Sequence, residues 1–314
     1  MSKKSRFTFT LLLLSALALI ITGCQSSLPP AVEETDRVEV VTTIFPLADM
    51  IQCLGGERVK VSYLLPAGAS PHNFEPTVDQ IKKTARALLF VYMGGGLDDW
   101  AAKAAQAESK RICLLSLSEK ALQLGWLPPE DISSGLSEKE PVRFNPHLWL
   151  DPILARDYLC PALTEALVKV DSKNEAYYRA NLKSYQAELT ALDEEIRLDL
   201  SGLPRKSFIS IHAAWHYFAA RYGLDEAAVI SDFPGQEPSA AWISELVDLC
   251  RKHQVRVVSA EPQLSAEIAE MIAHEIEGQL IILDPLGGAE LPQRDSYLNL
   301  MRYNATVLKD ALSE

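Results

Sequence analysis

The chain has 314 residues, 30 basic side chains against 42 acidic ones, and a formal net charge of −12. That length accommodates two lobes, each with a core of its own. The acidic balance argues against a nucleic-acid binder, which needs basic patches, and suits a protein that collects cations.

Lys3, Lys4 and Arg6 precede an apolar run over residues 7–21. The run is shorter than the ~20 residues a spanning helix needs, and it reads as a secretory signal covering residues 1–23. It carries three basic residues and no acidic one, so its removal leaves 27 against 42. The stretch Ile21-Thr22-Gly23-Cys24 resembles a bacterial lipobox, in which Cys24 is lipidated and holds the protein at a membrane surface without crossing it. Residues 24–37, polar and poor in apolar side chains, read as a flexible tether.

From residue 38 short apolar runs alternate with helical patterns. Strands are expected at 38–43, 59–65, 88–92 and 111–115, and helices at 47–54, 78–85 and 97–107. Such alternation predicts a parallel sheet flanked by helices. A Pro/Gly-bearing loop over 125–145 interrupts it, and a helix follows over 153–169. From 172 to about 198, Tyr178, Leu182, Tyr185, Leu189, Leu192 and Ile196 recur every three or four residues, the mark of one long amphipathic helix. Gly202 and Pro204 stop it. The second half repeats the alternation, with strands at 207–211, 227–231, 255–260 and 280–283 and helices at 215–222, 240–253, 265–277 and 296–312. The expected fold is α/β: an N-terminal lobe (38–171), a rigid linking helix (172–200) and a C-terminal lobe (201–314).

Three of the six histidines stand in separate motifs, Pro71-His72-Asn73-Phe74-Glu75-Pro76, Asn145-Pro146-His147-Leu148-Trp149-Leu150-Asp151-Pro152 and Ile211-His212-Ala213-Ala214-Trp215-His216. In open α/β sheets ligands bind beyond the carboxyl ends of strands. His72 follows the 59–65 strand after a Pro66-Ala67-Gly68 turn, and His212 and Asp284 directly follow strands. His147 precedes a helix begun by Asp151-Pro152, a cap with proline behind it. Together the four supply the N/O donor set of a tetrahedral Zn²⁺ site.

His212 and His216 form a His-x-x-x-His pair, but Ala213 stands where a metalloprotease needs glutamate, so a zinc-hydrolase base is missing. His216 reads as a flanking residue, and His253 and His274 as solvated surface. Glu75 and Glu261 are carboxylates near the motifs, available to hold the outer nitrogen of a ligand imidazole; for Glu261-Pro262 a strand-end turn is slightly preferred. Gly94-Gly95-Gly96 lacks the spacing of a phosphate-binding fingerprint and reads as a tight strand-to-helix turn. Cys53, Cys113, Cys160 and Cys250 would lie in a disulfide-permissive compartment. Three pairings are open, and closure of each lobe on itself favours Cys53–Cys113 and Cys160–Cys250.

The run from Leu65 to Thr77, the Asn145–Pro152 segment, Glu237-Pro238-Ser239, Ala260-Glu261-Pro262-Gln263 and Leu283-Asp284-Pro285-Leu286-Gly287 resemble, in order, the zinc/manganese cluster (A-I) of bacterial ABC-transporter solute-binding lipoproteins. The resemblance implies two lobes joined by a rigid helix, an ion held between them and delivery to an ABC permease, with no catalysis. It places ligands at His72, His147, His212 and Asp284. Histidine at the third position marks the zinc-type subgroup, in keeping with imidazole suiting Zn²⁺ and carboxylate oxygen suiting Mn²⁺. The expectation is a monomeric, lipid-anchored, extracytoplasmic zinc-binding protein. A manganese or iron importer component and a surface adhesin are the alternatives. The sequence departs from many zinc members in lacking a His-rich loop before His147, and in carrying Ser70 where aspartate is frequent.

Overall fold

The computed structural model describes residues 36–84, 86–108, 111–125, 145–231 and 236–314. The signal segment, Cys24, nearly all of the tether and residues 126–144 of the long loop lie outside them. Two four-stranded sheets, every strand pairing parallel, carry the architecture. The first comprises β1 (Val38–Thr42), β2 (Val59–Tyr63), β3 (Leu89–Tyr92) and β4 (Cys113–Ser116) in the order β2-β1-β3-β4. The second comprises β5 (Ser207–Ser210), β6 (Asp225–Val229), β7 (Val257–Ala260) and β8 (Gln279–Ile282) in the order β6-β5-β7-β8. The winding is therefore the same in both halves. β6 begins two residues before the expected 227, with a register irregularity at Phe208/Ile209 where β5 meets it.

Helices cover both faces. α1 (Phe45–Gly55), α2 (Val78–Thr84), α3 (Trp100–Glu108) and α4 (Leu117–Leu124) belong to the first sheet. The sequence reading lacked α4, an eight-residue helix capped by Ser116 and closed by Gly125 in the left-handed conformation. After Asp151, whose carboxylate accepts from the backbone of Ile153 and Leu154, the chain turns through Pro152–Leu154 and a π-helical Ala155–Leu159 into α5 (Cys160–Val170). α6 (Glu175–Asp199) is the linking helix, 25 residues and about 37 Å long at 1.5 Å per residue. α7 (His216–Tyr222), α8 (Ala240–His253), α9 (Glu267–Glu275) and α10 (Tyr297–Ser313) serve the second sheet.

Strand alternation sorts the apolar side chains into three clusters. Val41, Phe90 and Tyr92 face α3, while Ile209, Val258 and Ala260 face α8 and α9. The opposite faces, with Val40, Leu89 and Val91 from one sheet and Phe208, Val257 and Ile281 from the other, join a single core. α1, α5, α6 and α10 fill it: Leu47, Met50 and Ile51, then Leu163 and Leu167, then Tyr185, Leu189 and Leu192, then Met301 and Leu308. α1 is apolar almost all round because it is enclosed by a sheet and two helices. One core thus runs through both halves, so sliding one against the other would open packed surface.

Charged and polar ties reinforce it. Asp193 on α6 takes two 2.8 Å hydrogen bonds from Arg221 of α7 and one of 3.0 Å from Arg197. Asn181 of α6 donates to the last turn of α1 at Leu54 O, and Gly56 (φ 52°) follows, where a Cβ would lie 2.3 Å from the Tyr177 hydroxyl.

The expected disulfides are absent: Cys53, Cys113, Cys160 and Cys250 are all free thiols. Cys53 is on α1 with its thiol toward Tyr185 of α6 and near Cys160, whereas Cys113 is on β4, an edge strand of the first sheet. Cys160 belongs to the shared core and Cys250 to the outer cluster of the second sheet, so neither pair faces across a gap. No helix among the described residues is long and apolar enough to cross a membrane.

Candidate metal centre

His72, His147 and His212 come together: one ring nitrogen from each lies within 4.8 Å of the other two. Their ring centroids are 5.6 Å (His72–His147), 5.6 Å (His72–His212) and 5.1 Å (His147–His212) apart. They line a cavity of about 10 Å³ together with Ser70, Glu261 and Leu286. That is room for about one ion or water and not for an organic substrate.

Each ring arrives by a different device. His72 lies on the loop after β2, held by the Trp100 indole N–H donating to Pro71 O (2.9 Å) and by Phe74 packed edge-on against Trp100 (centroids 5.2 Å). His72 Nε2 is buried and has no hydrogen-bond partner among the described residues. His212 stands two residues beyond β5, at the C-terminal end of a central strand. His147 enters through a short 3₁₀ turn, Leu148–Leu150, and its segment is fastened to the second half of the chain. Asn145 Nδ2 donates to Ala213 O (2.8 Å), the Tyr217 hydroxyl to Asn145 O (3.0 Å), the Trp149 indole to Pro285 O (2.7 Å) and the Tyr297 hydroxyl to Trp149 O (2.6 Å).

These hydrogen bonds set the protonation pattern. Because Asn145 spends its amide N–H on Ala213 O, its Oδ1 faces His147, accepting from the backbone N–H (3.0 Å) and from ring Nδ1 (2.8 Å). His147 is therefore the Nδ1–H tautomer, and its Nε2 carries a lone pair aimed at His212 Nε2, 3.3 Å away. On the far side of His212, Nδ1 lies 2.8 Å from Glu261 Oε1, within reach but off the ring N–H line, and the Trp215 indole donates to that same oxygen at 3.2 Å. Burial, with His212 close by, pushes His72 down to about 3. Burial and the two neighbouring rings hold His147 well below the usual imidazole range. Both are neutral at physiological pH, the form a metal requires.

Asp284 stands apart from this group. Its Oδ2 takes the Arg294 guanidinium at 2.8 Å, and its Oδ1 accepts from Gln263 Nε2 (2.9 Å) and from the backbone of Leu286 (3.0 Å) and Gly287 (3.1 Å). Asn304 clamps its backbone on both sides. The strand-exit position was visible in the sequence; Arg294, ten residues further on and drawn in by the 287–294 turn, was not. Asp284 thereby shapes the loop whose Pro285 and Leu286 line the cavity.

His216 lies outside the cluster, edge-on to Tyr217, and Glu75 is exposed. Glu261, expected to be a turn residue in the first instance, is buried against His212. The signal for it was the one that found His212, a polar residue directly after a fully buried strand. Asn145, which sets the His147 ring, carried no signal beyond its place two residues ahead.

Relatives fit this geometry. The high-affinity zinc uptake system protein ZnuA of Bacillus subtilis (strain 168) is 29% identical over 309 residues, 96% of this chain and 97% of its own length. The zinc-binding lipoprotein AdcA of Streptococcus pneumoniae serotype 4 (strain TIGR4) is 27% identical over 311 residues; the match covers 97% of this chain and 61% of that longer protein. Among solved structures, one described as a crystal structure of ZnuA superposes with a TM-score of 0.77 at 28% identity, covering 88% of this chain and 100% of that one. A mutant structure of the laminin-binding adhesin Lmb from Streptococcus agalactiae superposes with a TM-score of 0.74 at 28% identity, covering 88% and 99%. The periplasmic zinc-uptake complex component A profile matches residues 40–311, and the chain belongs to that family.

Proposed function

We propose that this chain captures one Zn²⁺ on His72, His147 and His212, on the extracytoplasmic side of the membrane, and hands it to the permease of an ABC importer. It is a binding component and not an enzyme. The observation that carries the reading is the convergence of three imidazoles, within 4.8 Å of one another, on a cavity of single-ion size. Nitrogen donors at that spacing suit Zn²⁺, whereas Mn²⁺ would want more carboxylate oxygen. Asp284, already holding Arg294 on Oδ2 and three donors on Oδ1, is the weaker fourth donor and contributes less than any of the histidines.

The experiment is a competition titration of the purified chain against a chromophoric zinc chelator, repeated with Mn²⁺. One Zn²⁺ per chain is expected, with Mn²⁺ unable to displace it. The His72→Ala, His147→Ala and His212→Ala variants should each lose more than the roughly 100-fold that an outer-partner change costs. Unchanged affinity in all three rejects the assignment. We further read residues 1–23 as a cleaved signal, Cys24 as the lipidated residue and 24–37 as the tether, supported by the lipobox and by the name of the pneumococcal relative. A Cys24→Ser chain should then leave the membrane fraction; retention there would contradict the anchor.

A further inference from the structure

Imidazole ligands bring no negative charge, so a bound Zn²⁺ would keep its full double charge inside the protein, and burying uncompensated charge is costly. Three carboxylates lie near enough to matter, and two are already engaged. Asp284 is paired with Arg294. Glu226 on β6 accepts the Ser210 hydroxyl and does not line the cavity. Glu261 does line it, is 3% exposed, has no Lys or Arg partner among the described residues, and sets Oε1 2.8 Å from His212 Nδ1.

Resting on the zinc reading above, we propose that Glu261 is the positioning residue of the site: it holds His212 as the Nδ1–H tautomer, so that Nε2 faces the ion, and offsets the ion's charge through the ring. The tautomer follows once the ion is bound. His147 Nε2 bears a lone pair, and His212 Nε2 lies within hydrogen-bonding reach of it at 3.3 Å, the place a bound ion would take. With an ion there, His212 coordinates through Nε2 and its remaining ring N–H is Nδ1–H, which lies on the side of Glu261 Oε1. In the structure the His212 Nδ1 contact is off-line. A slight turn of the ring aligns it, while Trp215 keeps the carboxylate in place through its indole N–H. Metal-ligating imidazoles commonly use their second nitrogen in this way, and removal of the partner typically costs 10–100-fold in affinity.

The test measures Zn²⁺ affinity by chelator competition for the wild type, Glu261→Gln and Asp284→Asn, with thermal unfolding of each metal-free protein as a folding control. In parallel, long-range ¹H–¹⁵N spectra of the Zn²⁺-loaded wild type report which His212 nitrogen carries the proton. Glu261→Gln should lower affinity by about 10–100-fold, and Asp284→Asn by less. The wild-type spectrum should show His212 with Nε2 on the metal and a downfield, slowly exchanging Nδ1–H. That signature is read on the wild type, so it tests the proposal even if Glu261→Gln unfolds. Unchanged affinity in Glu261→Gln, a larger loss in Asp284→Asn, or a His212 ring bound through Nδ1 overturns the role of Glu261. A wild-type chain that binds no Zn²⁺, or histidine variants that bind it as well as wild type, overturns the site itself.

Discussion

The two sheets share one strand order and so offer the same crevice twice, between the strand that opens each half and the third strand beside it, yet the two crevices are put to opposite uses. In the first, Thr43 follows β1, and Met93 and Gly94 follow β3. Asp98, fully buried, closes the gap by accepting from the Thr43 hydroxyl (2.5 Å) and from the backbone of Met93 (3.0 Å) and Gly94 (2.7 Å). In the second, His212 follows β5 and Glu261 follows β7. A carboxylate saturated by three donors has little left for a ligand, whereas His72 Nε2, buried and without a hydrogen-bond partner among the described residues, is left open to one. Topology supplies the place; whether the polar groups exhaust each other decides whether it becomes a binding site.

The comparison breaks most clearly at the histidines. His212→Ala should cost zinc affinity by more than about 100-fold, whereas Asp98→Ala should leave the affinity of the folded fraction within a few-fold of wild type. A loss at Asp98 as large as at His212 would mean that both crevices serve the ion. Stability should respond in the other direction. Asp98→Ala strands two buried backbone N–H groups and the Thr43 hydroxyl, a cost of at least about 2 kcal/mol in denaturant unfolding, and Thr43→Val, removing one donor, about 1 kcal/mol. A neutral Asp98→Ala would show that the loop holds without its clamp.

The smallest effect is in pH dependence, and the two sites bend it in opposite senses. Burial lowers His72 from an ordinary 6.5 to about 3, so between those values the unfolded chain carries a proton the folded one lacks. Metal-free stability therefore rises with pH through that window. Burial raises Asp98 from 3.8 to about 6, and there the folded chain keeps a proton the unfolded one has lost, so stability falls as pH rises. Between pH 4 and 6, His72→Ala should flatten or reverse the rise in Tm of the metal-free protein, and Asp98→Asn should steepen it. Identical slopes in all three proteins would contradict both shifts.

How much of this was legible follows from the reach of each signal. The β1 and β3 runs and the α6 stripe from Tyr178 to Ile196 are read directly because alternation and a 3.6-residue period are local consequences of which face is buried. The disulfide expectation failed because it assumed two lobes closed on themselves, whereas Cys160 lies in a core that both sheets share. His147 illustrates the same limit. Its motif stands out in the chain, but the groups that hold its segment, Ala213, Tyr217, Pro285 and Tyr297, are far away in sequence.

By itself, the order of residues determined the α/β alternation and the strand-exit positions of the polar residues, properties of composition and short-range spacing, while the choice of imidazole over carboxylate at the third site was read through the family resemblance. Only the tertiary structure decided which of those residues share a charge. Arg294 takes Asp284, Asn145 turns the His147 ring and Glu261 stands behind His212. Electrostatic partnership depends on distances of about 3 Å, and those are set by packing between segments that the chain keeps far apart.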